Sequence, residues 1–113
     1  MELPEELDYK NKMLDQAIKT LRKNGIELAK AEKEYKEELT KEVLRLKDEG
    51  TAVTLINLII YGQPSVSTLR LKRDIAKSTY DANAEVINIL KLQIRIIEAQ
   101  LGREYGNTGR GNI

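Results

Sequence analysis

The sequence predicts an all-α fold: an antiparallel hairpin of two long helices with a short connecting helix, assembling into an oligomeric helical bundle. Three observations predict it. Leu69, Ala76, Asn83, Leu90 and Ile97 fall seven apart, and Arg73, Tyr80, Ile87, Ile94 and Leu101 fall seven apart with an offset of four, the a/d spacing of a packed helical seam. Between Pro64 and Gly102 no Gly or Pro breaks the pattern. The helix would therefore run about 60 Å at 1.5 Å per residue, a length suited to a hairpin or bundle. Beside the seam lies a second apolar row, Ile75, Ala82, Val86, Ile89 and Ile96. One facing helix covers one stripe, so this row needs a third helix, a second chain or a partner protein, unless the short middle segment folds back over it. A homo-oligomer is expected.

The remaining elements follow in chain order. Pro4, Glu5 and Glu6 suit a first helical turn, and a long helix is predicted over 5–49. Its seam reads Leu14, Ile18, Leu21, Gly25, Leu28, Glu32, Tyr35, Leu39, Glu42 and Leu46. The opposite face is a solvated run of Lys and Glu, with Glu32/Lys36 and Glu37/Lys41 in the supportive i,i+4 order. Asn24-Gly25 weakens the middle of this helix without ending it. Gly50 suits the stop, and Thr51 suits the N-cap of a short helix over 52–61. Val, Thr and Ile there also suit a strand, but the chain offers no second strand to pair with. Leu55, Ile56, Leu58, Ile59 and Ile60 are too apolar for a free linker and are expected to pack on the hairpin end or between subunits. Pro64 or Ser65 opens the long helix, predicted over 65–105. This makes one domain over 1–105, followed by a flexible Gly-rich tail, 106–113. The alternative for the tail is a loop whose amides wrap an anion together with Arg103 and Arg110. It is not a phosphate loop, because GNTGRG lacks the GK[ST] ending and a preceding strand.

Composition narrows the chemistry. The chain of 113 residues has no His, Cys, Trp or Phe, which removes thiolate chemistry, disulfides, imidazole bases and nearly every zinc site. No metal or cofactor is implied, and with no catalytic constellation an enzyme is not expected. A formal net charge of +1 argues against a strongly basic DNA binder and against a nucleic-acid mimic. The acidic, polar start resembles no signal peptide, and no apolar run reaches the length of a membrane span. The expected location is the cytoplasm, with no membrane partner.

Several polar residues interrupt the seam. With Leu46 set opposite Leu69, as a short-loop hairpin would place them, the facing pairs are Leu14/Leu101, Ile18/Ile97, Leu21/Ile94, Leu28/Ile87, Glu32/Asn83, Tyr35/Tyr80, Leu39/Ala76 and Glu42/Arg73. Two readings fit this belt. The polar pairs fix register, or Arg73, Tyr80 and Asn83, flanked by Lys72 and Lys77, bind a small anionic ligand. For the latter, Arg gives a donor fork, Tyr a stacking ring and Asn a donor and an acceptor. Lys91 and Arg95 stand four apart among aliphatic neighbours, either ringing a phosphate at a subunit interface or snorkelling to its rim. With Arg103, these residues complete the candidate ligand-binding set.

Asp48-Glu49-Gly50-Thr51-Ala52-Val53-Thr54, Leu71-Lys72-Arg73-Asp74-Ile75-Ala76, then Tyr80, Asn83 and Ile87-Asn88-Ile89-Leu90-Lys91-Leu92-Gln93-Ile94-Arg95 resemble small helical proteins encoded by phages and prophages of Gram-positive bacteria. The resemblance covers most of the chain, from the first helix to Tyr105. It implies an accessory factor in the host cytoplasm that acts stoichiometrically. Such a factor would serve counter-defence, sequestering a host immune signalling nucleotide or inhibiting a host protein. Two alternatives stand beside it. Residues 50–73 can be drawn as a helix-turn-helix presenting Ser65, Ser67, Thr68, Arg70, Lys72 and Arg73 to nucleic acid, or the helices serve as a structural assembly rod.

Overall fold

The computed structural model describes residues 2–111, with side chains to 106. Helix α1 spans Leu3–Asp48, α2 spans Val53–Ile59, a 3₁₀ turn covers Ile60–Gly62, and α3 spans Pro64–Gly111. Among the described residues there is no strand, and the two long helices pack against each other in antiparallel sense. The helical backbone of α3 passes the expected end at Tyr105 and reaches Gly111. Glycine weakens a helix by roughly 1 kcal/mol per residue without forbidding it, and helical amides over this stretch cannot form the anion-wrapping loop. The Arg110 side chain lies outside the described residues.

Gly50 ends α1 as its sequence position suggests. Its φ is +85°, its N–H donates to the Lys47 carbonyl, and the Thr51 N–H donates to the Leu46 carbonyl, each at 3.0 Å. This paired closure is the Schellman arrangement, and a left-handed residue there is normally Gly. It also corrects the expected role of Thr51. With its amide committed to closing α1, Thr51 stands one residue too early, and Ala52 is the N-cap of α2 with no side-chain cap bond. Pro64 opens α3, and the Ser67 N–H reaches the Gln63 carbonyl at 2.9 Å.

The contacts divide the hairpin into two units. One is Lys23–Asp81, termed here the connector unit, and the other is Met1–Arg22 with Ala82–Ile113, the terminal unit. In the connector unit Tyr35, Leu46, Ile56, Ile60 and Val66 form one buried cluster, with Leu39, Val43, Ile59 and Leu69 half-buried around it. In the terminal unit Ile87, Leu90, Ile94 and Ile97 are buried. Every seam position expected on α3 is at least half-buried. On α1 the seam is displaced by one residue at two points. Ala17 turns inward where Ile18 was expected, and Ala31, 3% exposed, does so in place of Glu32.

The facing register also differs from the expected one. In the connector unit Arg73 meets Glu32 rather than Glu42, and Lys72 meets Glu34. In the terminal unit the Asn83 amide donates to the Ala17 carbonyl, not to Glu32, and Leu14 shares a cleft with Ile94 rather than facing Leu101. The slide at Arg73 is ten residues, about 15 Å at 1.5 Å per residue. Its cause is the connector. Leu46 packs on Ile56, Ile60 and Val66, so a third element occupies the place that a short loop would have left to Leu69. Of the apolar connector residues, Ile56 and Ile60 are buried and Ile59 is half-buried, whereas Leu55 and Leu58 face solvent.

Truncating a buried aliphatic side chain removes transfer free energy and leaves a cavity. Ile56→Ala should therefore lower the unfolding free energy by about 2–4 kcal/mol. Leu58→Ala, at a residue 81% exposed, should change it by less than about 0.5 kcal/mol. Urea unfolding of both variants checks the assignment of the inner face of α2.

Candidate functional site

Three of the candidate ligand residues, Arg73, Lys77 and Tyr80, come together in the connector unit. With Gly25, Leu28, Ala29 and Glu32 they line a groove of about 640 Å³. Gly25 faces the Tyr80 ring, and a Cβ built there would stand 3.4 Å from its Cε2, an ordinary contact. Leu28 and Ala29 of α1 are its apolar lining, and its charged lining comes from Glu32 of α1 and from Arg73 and Lys77 of α3.

Those charged groups are engaged with one another. The Arg73 Nε donates to the Asp74 carboxylate at 2.8 Å, and its Nη1 donates to Glu32 at 3.2 Å. The same guanidinium lies 4.7 Å from the centroid of the buried Tyr35 ring, a favourable stack on the π face. Lys77 donates to Asp81 at 2.8 Å and Lys72 to Glu34 at 3.0 Å. The Arg73 hydrogen bond holds the Glu32 carboxyl below the ordinary carboxylate range; partial desolvation opposes this and Lys36 adds to it. The hydrogen bond to Glu32, then that to Asp74, raises Arg73, and the bond to Asp81 raises Lys77. Lys72, Arg73 and Lys77 are thus each paired with a carboxylate, from Glu34, from Glu32 and Asp74, and from Asp81.

The other candidates lie elsewhere. Asn83 is in the terminal unit, half-buried, on the Ala17 carbonyl at 3.1 Å. Lys91 and Arg95, both exposed, border a cleft with Asn11, Leu14 and Ile94. Arg103 borders another with Leu3, Gln100 and Glu104. Of the residues drawn toward nucleic acid, Ser65, Ser67, Thr68, Arg70 and Lys72 are exposed and Arg73 is half-buried. Arg70 stacks 4.9 Å from the Tyr61 ring centroid. Sequence reasoning placed Gly25 and Glu32 in the seam and missed them as part of the groove. The Asp74 and Asp81 pairings were legible in the i,i+1 and i,i+4 spacings, whereas Glu32 and Glu34 come from the other helix and depend on register.

Large apolar side chains are exposed in both units. Ile75 in the connector unit, and Val86, Ile89 and Ile96 in the terminal unit, are all exposed, so the second row of α3 is uncovered within the chain. Val53, Leu55, Leu58 and Tyr61 are likewise exposed around α2.

No family model, curated protein or solved structure matches the chain. Among the described residues, no helix is long and apolar enough to cross a membrane, and no group of three or more acidic residues is placed to hold a metal ion.

The lowered Glu32 carboxyl ties stability to pH with a definite sign. A depressed folded pKa adds stability above the unfolded value, about 4.3 for Glu, and that stability is lost as pH falls through the folded value. Acidification from about pH 5 to about pH 3 should therefore destabilise the wild type more than Glu32→Gln, with urea unfolding at both pH values as the measurement. At Gly25 the Cβ contact is an ordinary van der Waals distance, so Gly25→Ala should gain helix propensity and raise stability by about 0.5–1 kcal/mol. A rise in melting temperature checks it.

Proposed function

We propose that the chain is a stoichiometric binding protein, not an enzyme, that works as a homo-oligomer and engages a protein target through exposed apolar helix faces. The observation that carries this reading is the uncovered apolar row of α3. Its residues alternate with the buried seam, so one helix has two apolar sides and only one of them has a partner within the chain. Exposed apolar surface of this kind marks interaction sites. Absence of His and Cys from the sequence and the pairing of acidic side chains with cations support binding over catalysis. Joined to the resemblance to phage and prophage proteins, the reading is counter-defence by inhibition of a host protein in the host cytoplasm.

A second reading, capture of a small anionic nucleotide, is favoured by the groove that gathers Arg73, Lys77 and Tyr80. It is the weaker of the two because each cation there already has a carboxylate partner. The nucleic-acid reading is weakened in the same way: Lys72 and Arg73 are ion-paired and Arg70 covers Tyr61.

Native mass spectrometry of gently purified protein separates these readings. Whole-number multiples of the 12.9 kDa chain without added small-molecule mass are expected. An oligomer that carries nucleotide-sized mass, lost in Tyr80→Ala, would transfer the function to the groove. Binding to random duplex DNA that weakens steeply with salt would instead revive the nucleic-acid reading.

A further inference from the structure

We propose that a second copy of this chain packs antiparallel on the outer face of α3 in the terminal unit, about a two-fold axis close to Gln93. The proposal rests on the binding reading above and names the occupant of this face. Val86, Ile89, Leu92 and Ile96 are 47–53% exposed, while Ile87, Leu90, Ile94 and Ile97 on the same turns are at most 7% exposed.

Charge placement selects a second copy and its direction. Glu85 and Arg103 are 18 residues apart, five full turns at 3.6 residues per turn, so they lie on one flank of the apolar row. Both are exposed. Antiparallel helices bring the same flank of each copy together. Glu85 then meets Arg103 of the second copy, and the two-fold repeats the pair at the other end. The two-fold crosses the helix at the level of residue 94, and Gln93, one residue away on the other edge of the apolar row, has an amide with both donor and acceptor that can pair with its own symmetry mate. Ile96 is brought level with Leu92 of the second copy, apolar on apolar. At 100° per residue Lys91 and Arg95 stand about 160° and about 120° around the helix from Ile89, so like charges stay off the axis. A parallel pair would put opposite flanks together and lose both Glu85–Arg103 contacts.

The chain has no cysteine, so single-cysteine variants of the full chain report the geometry directly. Gln93→Cys should form a disulfide-linked dimer under mild oxidation. Glu85→Cys and Arg103→Cys should each fail to crosslink alone with a short bis-maleimide, yet crosslink when mixed. Charge reversal supplies a check that does not depend on crosslinking. Glu85→Arg or Arg103→Glu should each weaken dimerisation by about tenfold, and the double variant should return to within about threefold of wild type. Self-crosslinking of Glu85→Cys would mean a parallel pair and would overturn the proposal. So would an oligomer that crosslinks at none of these positions, leaving the binding reading intact on another face. A wild-type monomer at micromolar concentration would overturn both.

Discussion

Leu46 and Val66 are joined through Ile56 and Ile60 in one buried cluster, and this contact sets how far α3 slides along α1 within the connector unit. A helix pair has no intrinsic register, since a seven-residue slip leaves the same seam facing inward. Something must choose among the slips. Here the choice falls to the short connector, whose buried residues, Ile56 of α2 and Ile60 of the 3₁₀ turn, share one cluster with Leu46 and Val66. The Schellman closure at Gly50 aims the chain into that position, and Pro64 restarts the helix after it. Once this end is packed, the rest of the connector unit follows. Glu32 arrives at Arg73, Glu34 at Lys72, and Gly25 at the Tyr80 ring.

The sequence carried the elements more clearly than the fit between them. On α3, large aliphatic residues at seven-residue spacing named the inward face without error, because Leu and Ile contrast sharply with their polar neighbours. On α1 the inward positions at 17 and 31 are alanines, while Ile18 and Glu32 stand beside them. Hydrophobic pattern favours the larger residue, yet close approach of two helices favours the smaller, and here approach prevails. Register was the least legible feature, for periodicity repeats itself at every heptad. The assumed pairing of Leu46 with Leu69 left out the volume of the connector, and the error passed to every pair built upon it. The candidate site inherited that error in part. Arg73, Lys77 and Tyr80 do share a groove, since they lie on adjacent turns of one helix, but Asn83 belongs to the terminal unit and the acids facing the cations were assigned to the wrong places.

The charged belt of the connector unit is better regarded as a set of orienting contacts than as a source of stability. Lys72 with Glu34 and Lys77 with Asp81 are exposed pairs, and such pairs contribute little in water. Arg73 differs in degree. Its guanidinium is less exposed, is gripped by two carboxylates and lies over a buried ring. A planar fork held on two edges and one face resists rotation in a way that an ammonium cannot. The residue is therefore fitted to hold one alignment of the helices, and the energetic weight stays with the aliphatic cluster beside it.

The connector, α2 with the 3₁₀ turn after it, keeps two kinds of residue apart within a very small space. Ile56 and Ile60 point into the cluster, while Val53, Leu55 and Leu58 point out. The outward set takes no part in the packing that aligns α1 with α3, so its chemistry can vary while the scaffold stays the same. A natural or engineered series of these proteins could thus share one frame and carry different addresses at its tip, much as interchangeable bits share one handle.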